Sequence, residues 1–232
     1  PKSRKSGVTR RSFLKTIGVA GAAVGTAPAF LRSTAEAQDT PFRDPAAKPG
    51  GTLRYGVHTA PAHFDVHQSG TISNLGGQAP MYDLLIRRDP RDGNTIIPDL
   101  AHKWEVAPDG KKYTFFLRKG VKFHDGAEIP AEDIRATYER IVRPPKGVVI
   151  PRSSLFTAVG EIVVHDPYKI ECRLSEPRPR AFMLGAFASG WNIIVRKKTL
   201  DDNGGNLRQV MNFPGTGPFR HVSRKDKEVW IQ

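Results

Sequence analysis

Residues 98–126 read Pro98-Asp99-Leu100-Ala101-His102-Lys103-Trp104-Glu105-Val106-Ala107-Pro108-Asp109-Gly110-Lys111-Lys112-Tyr113-Thr114-Phe115-Phe116-Leu117-Arg118-Lys119-Gly120-Val121-Lys122-Phe123-His124-Asp125-Gly126, and this stretch decides the fold. Trp104 and Val106 alternate before Pro108-Asp109-Gly110, and Tyr113, Phe115 and Leu117 alternate after it. A period of two puts each set on one face of an antiparallel pair, and Pro-Asp-Gly supplies the residues a tight turn requires. Such an apolar face must be covered. Between Ala131 and Val142, Ile134, Tyr138 and Ile141 recur at i, i+4 and i+7, which makes one apolar helical stripe able to cover it.

Reading outward toward the C-terminus, a second hairpin is expected at Glu161–Val164 and Tyr168–Leu174, turning at Asp166-Pro167. Cys172 alternates with Ile170 and Leu174, so it reads as a core residue; as the chain's single cysteine it has no intramolecular disulfide partner. A short helix over Ala181–Phe187 and a buried strand over Trp191–Val195 follow. The alternating run ending at Val229-Trp230-Ile231-Gln232 reads as an unpaired apolar strand, which invites aggregation, so a truncated product is expected. Toward the N-terminus, Thr52–Val57 reads as a strand and His58–Ser69 as an irregular loop. A helix is expected over Asn74–Arg88, weakened by Gly76, Gly77 and Pro80. Residues 38–50 have linker composition.

The first 37 residues have a different character. Thr9-Arg10-Arg11-Ser12-Phe13-Leu14-Lys15 precedes an Ala/Gly-rich apolar run, Ile17–Leu31, too short to span a bilayer, and then Ala35-Glu36-Ala37. That order of charge, apolar run and small-residue site is that of a twin-arginine export signal, with Arg10 and Arg11 as its recognition pair and cleavage after Ala37. Setting it aside changes the charge balance. The +13 of the whole chain falls to +7, from 29 basic and 22 acidic residues, spread without a Lys/Arg block. This implies a mildly basic solvated surface rather than a nucleic-acid partner. No cysteine stands at the cleavage site to accept a lipid, so a free periplasmic protein is expected. Its 195 residues suffice for one good core or two small ones.

In order along the chain, Pro98–Val106, Pro108-Asp109-Gly110, Tyr113–Gly126 and Ala131-Glu132-Asp133-Ile134 resemble the extracytoplasmic solute-binding proteins of ABC importers, family 5, the peptide/nickel type. Asp166-Pro167-Tyr168, Leu174-Ser175-Glu176-Pro177 and Gly215-Thr216-Gly217-Pro218-Phe219 continue the series, which spans about 50–231. The resemblance implies an α/β, periplasmic-binding-protein-like fold (class II, large three-domain type), incomplete here. Residues 51–75 would start lobe I, 76–188 would form the small extra domain, and 189–232 would return into lobe I; the second main lobe would be missing. Two positions depart from the family pattern. Pro130 stands where a Ser or Thr usually caps the helix, and Phe64-Asp65-Val66-His67 replaces a more usual Asp-Pro.

His58, His63 and His67 are the one cluster with a metal-ligand look, but density alone does not make convergent ligands, and His67 falls where the family's loop has a structural histidine. Gly215–Phe219 has no Lys-Ser/Thr after its glycines and reads as a turn rather than a phosphate loop. No catalytic motif and no cofactor motif is found. From the resemblance, the solute would meet Thr59, Ala60 and His63 in the loop, Trp191 after the small domain, and Phe219 beside the glycine turn. It further implies an oligopeptide or dipeptide as solute, an inner-membrane ABC permease as partner and the twin-arginine translocase during export. A secreted enzyme on a similar scaffold, or a remnant of a disrupted gene, are the alternatives.

Overall fold

A computed structural model describes residues 50–52, 54–56, 59–225 and 228–231. Residues 1–37, with Arg10, Arg11, Ala35 and Ala37, lie outside the described residues, as do the 38–49 segment and His58. The strands are β1 (Ile86–Arg88), β2 (Ile96–Pro98), β3 (Ala101–Val106), β4 (Lys112–Leu117), β5 (Val159–Asp166), β6 (Lys169–Leu174), β7 (His221–Lys225) and β8 (Glu228–Ile231). The helices are α1 (Ile72–Gly76), α2 (Ala131–Val142), α3 (Arg180–Phe187) and α4 (Lys197–Asp202), with short 3₁₀ turns at Ala79–Met81 and Pro151–Phe156.

The two expected hairpins form and join edge to edge into an antiparallel sheet of order β3-β4-β6-β5. The register sets Phe115 between Trp104 and Ile170, and Tyr113 between Val106 and Cys172. Period-two alternation therefore carries an apolar row across the strands, and all of these side chains except Val106 are buried. At the 108–110 turn, Gly110 N–H donates to Ala107 O and the Asp109 carboxylate accepts from Lys111 N–H. Phe187 of α3 is the aromatic centre of this core, with ring centroids 5.1 Å from Phe115, 5.5 Å from Tyr138 and 5.6 Å from Phe156. Burial pushes the Cys172 thiol up to about 12, which keeps it a protonated core residue.

α2 starts at Pro130, which offers no side-chain cap, yet the Ala131 N–H is not orphaned: Pro167 O, at the tip of the second hairpin, accepts it at 2.8 Å. Glu132 and Asp133 in the first turn suit the positive end of the helix. Two faces of this helix are buried. Ile134, Tyr138 and Ile141 enter the sheet's core, while Asp133, Thr137 and Arg140, also at i, i+4 and i+7, form a buried polar row.

A second cluster holds Phe64, Val66, Leu75, Met81, Tyr82, Ile193, Val195, Leu200, Leu207 and Phe213. Residues 192–195 run between the clusters: Ile193 and Val195 enter the second and Ile194 the first. This alternation is what reads as a strand in the sequence. The segment is not one, because Ile194 N–H bonds to Asp83 O and Val195 N–H to the Thr137 hydroxyl, so no ladder forms.

Three further expectations are corrected. The described residues of 52–57 are not a strand: no strand pairs with them, and Tyr55 is 71% exposed. The helix expected over Asn74–Arg88 is only α1; Gly76 and Gly77 end it, Pro80 sits in a 3₁₀ turn, and Ile86–Arg88 leaves as β1. The final run is not unpaired, since β8 pairs antiparallel with β7.

Phe115 is fully buried against Phe187, so Phe115→Ala is expected to cost about 3–5 kcal/mol through the lost transfer energy and the cavity left behind. Urea unfolding monitored by circular dichroism reads this directly. A loss near zero would place the ring outside the core.

Candidate functional site

The run from His63 to Ser69 is buried throughout although it contains Asp65, His67 and Gln68. Buried polar groups must find partners, and here Arg140 of α2 supplies them. Its Nη1 and Nη2 donate to the two Asp65 carboxylate oxygens, Nη1 also donates to His67 Nδ1 at 2.6 Å, and Nε donates to Gly205 O at 2.8 Å. Asp65 Oδ2 also accepts from the Gln68 side-chain amide and Leu207 N–H, and Oδ1 from Gln68 N–H. Burial pushes the Asp65 carboxyl up, but the Arg140 charge and hydrogen bonds outweigh that and hold it below its ordinary value. His67 donates from Nε2 to Ile193 O at 2.8 Å, which fixes its neutral tautomer. Burial and the Arg140 charge lower it to about 4. His67 is therefore a structural clamp.

The segment 72–81 is the point where distant parts of the chain meet. Asn74 donates to His63 Nδ1, and Gln78 donates to His63 O and Asn74 O. Leu75 packs on the backbone of Gly190, beside Trp191. Pro80 O and Met81 O accept the N–H groups of Phe219 and Gly217. A Cβ on Gly215 would collide with Met81 O, and one on Gly217 would lie 2.6 Å from Pro80 O, so only glycine lets the 215–219 turn approach. His124 holds the turn from its other side. Its N–H donates to Gly215 O, its Nδ1 accepts from Gly215 N–H at 3.2 Å, and its Nε2 donates to Gly217 O at 2.9 Å.

Of the residues expected to meet a solute, His63, Trp191 and Phe219 are gathered around 72–81. His63 is buried and its pKa lowered by burial and by Arg208; Trp191 is half-buried; Phe219 is 40% exposed. Thr59 is exposed and Ala60 half-buried at the mouth of the loop. Sequence reasoning missed the Asp65–Arg140 pair, the His124 clamp and Arg152, whose guanidinium carbon lies 3.7 Å from the Trp191 ring centroid. Only the apolar flanks of Asp65, Phe64 and Val66, hint that the loop turns inward. Among the described residues no group of three or more His, Cys, Asp or Glu is placed to hold a metal ion.

Comparison with known proteins shows the family and the fold. Residues 95–231 match the profile of the bacterial extracellular solute-binding proteins, family 5 Middle. The dipeptide-binding protein of Escherichia coli (strain K12) is 32% identical over 200 residues, covering 77% of this chain and 36% of that protein. Di/tripeptide-binding protein 3 of Pseudomonas aeruginosa (strain UCBPP-PA14) is 34% identical over 196 residues, covering 75% and 35%. The solved structure of PBP AgaA in complex with agropinic acid, from A. tumefaciens R10, superposes with a TM-score of 0.65 at 28% identity, over 72% of this chain and 32% of that one. The Helicobacter pylori periplasmic binding protein DppA, in complex with the peptide STSA, shares the fold, with a TM-score of 0.65 at 24% identity over 75% and 37%. The fold is thus α/β and periplasmic-binding-protein-like, and the chain spans about a third of the length of the curated relatives it matches.

Removing one member of a buried ion pair leaves the other charge uncompensated, so Arg140→Met is expected to destabilise the protein by about 3–5 kcal/mol. Adding Asp65→Leu to that variant removes the orphaned charge and should restore part of the loss. Urea unfolding of the two variants beside the parent makes the comparison; a single variant as stable as the parent would show that the pair does not fasten the loop.

Proposed function

This chain belongs to the family 5 bacterial extracellular solute-binding proteins, and on that premise we propose that it captures a dipeptide or short oligopeptide in the periplasm and hands it to an inner-membrane ABC permease. The receptor performs no chemistry, and the permease's ATPase drives import. One observation carries the reading: the profile match over 95–231 contains the four-stranded sheet, the helix α2 and the 215–219 turn. In this reading 76–188 is the small extra domain and 51–75 with 189–232 belong to lobe I; most of one buried cluster falls within 76–188, although Met81 and Tyr82 join Ile193, Leu200 and Phe213 in the other. Thr59, Ala60, His63, Trp191 and Phe219 face the solute in this reading, with Trp191 and Phe219 as its apolar walls.

Export proceeds by the twin-arginine route, with Arg10 and Arg11 read by the translocase and residues 1–37 removed. Changing Arg10 and Arg11 to lysine is expected to hold the precursor in the cytoplasm, as followed by fractionation and immunoblotting. Normal processing of that variant would overturn the export route.

Two-lobed receptors hold ligand by closure, which strips water from both of its sides. These 232 residues present one wall. We therefore expect this polypeptide, titrated with Ala-Ala in a calorimeter, to bind at least about a hundredfold more weakly than the Escherichia coli dipeptide-binding protein under the same conditions. Equal affinity would place the whole site within this chain.

A further inference from the structure

Arg152 lies in the 3₁₀ turn Pro151–Phe156, half-buried, with its guanidinium stacked over Trp191. Among the described residues its one hydrogen bond runs from Nη1 to Ser69 O at 3.1 Å. No carboxylate among the described residues pairs with it, although exposed acid–base pairs are common elsewhere on this surface. Burial lowers the guanidinium pKa and no neighbouring acid offsets this. Trp191 is short of a partner as well, since its indole Nε1 is buried and donates to no acceptor among the described residues. A buried donor left in that state forfeits its hydration without compensation. A cation without a carboxylate partner and an indole N–H without an acceptor thus sit together at the junction of the 63–69 loop, the 72–81 segment and the return at Gly190.

We infer that Arg152 and Trp191 together form an anion subsite that takes a carboxylate. A carboxylate meets both needs. Its two oxygens match the parallel N–H groups of a guanidinium, which is why arginine rather than lysine suits the position, and the stack on the indole holds the guanidinium plane in one orientation. The subsite rests on the reading of the chain as a peptide receptor and deepens it: the carboxylate is either the C-terminal group of the peptide or an acidic side chain.

The test uses the ¹⁵N-labelled chain and three blocked amino acids as probes: N-acetylalanine, N-acetylalaninamide, and N-acetylaspartic acid amidated at its α-carboxyl. The Trp191 indole N–H and Arg152 Nε–H resonances, assigned with Trp191→Phe and Arg152→Lys, report occupancy without need of tight binding. N-acetylalanine is expected to shift both resonances and its amide neither. A shift with the aspartate probe alone would identify the anion as an acidic side chain and would equally support the subsite. Arg152→Gln should weaken the effective probe about tenfold. Because the first comparison is made on the unaltered chain, it stands even if a variant misfolds. Resonances unmoved by both carboxylate probes, or moved equally by the amide, would overturn the subsite. Failure of the receptor reading would show itself separately, as no binding of unblocked peptides to the mature protein by calorimetry.

Discussion

Arg140 and Asp65 are 4% and 1% exposed, and two charges so far from water are tolerable only if every donor and lone pair around them is used. That requirement reaches outward through the structure. Asp65 draws in Gln68 and Leu207 N–H; Arg140 draws in His67 and Gly205 O; His67 draws in Ile193 O. Three stretches far apart in sequence are thereby fixed to one side of α2. The other side of the same helix is packed into the sheet, so α2 carries the constraint from one core to the other.

How much of this was legible in the sequence depends on which side of α2 is considered. Ile134, Tyr138 and Ile141 announce themselves, because apolar side chains at helical spacing have one physical destination. Asp133, Thr137 and Arg140 have the same spacing and give no such signal, since a polar row that faces water looks the same as one that faces backbone. The structure separates the two: Asp133 accepts Lys197 N–H, the Thr137 hydroxyl donates to Val195 O and accepts from its N–H, and Arg140 holds the loop. The hairpins were readable for a related reason. Their pattern, their turn residues and their partners all lie within a short span of sequence.

What failed was reading that depended on partners elsewhere. The segment 191–195 has a strand's alternation because it is shared between two cores, and among the described residues no ladder forms there. The described residues of 52–57 meet no partner strand, and a strand is a property of a pair. The candidate site was half legible for the same reason. The glycines at 215 and 217 mark a close approach, while the surface they approach, Pro80 and Met81, and the histidine that clamps them, His124, belong to other parts of the chain. Arg152 stands in a turn of Pro, Ser and Leu with nothing local to distinguish it; only its stack on Trp191 does so.

Polar ties join the two cores. Where the chain passes from one to the other, Asp83 O accepts Ile194 N–H, Leu84 O accepts Leu100 N–H, and the Asp99 carboxylate accepts Leu84 N–H. Burial and the neighbouring Asp83 raise Asp99 to about 7, so this tie includes a group whose charge is costly where it sits. Such directional bonds fix an angle between two packed bodies in a way that apolar contact alone does not, because each breaks within a small rotation.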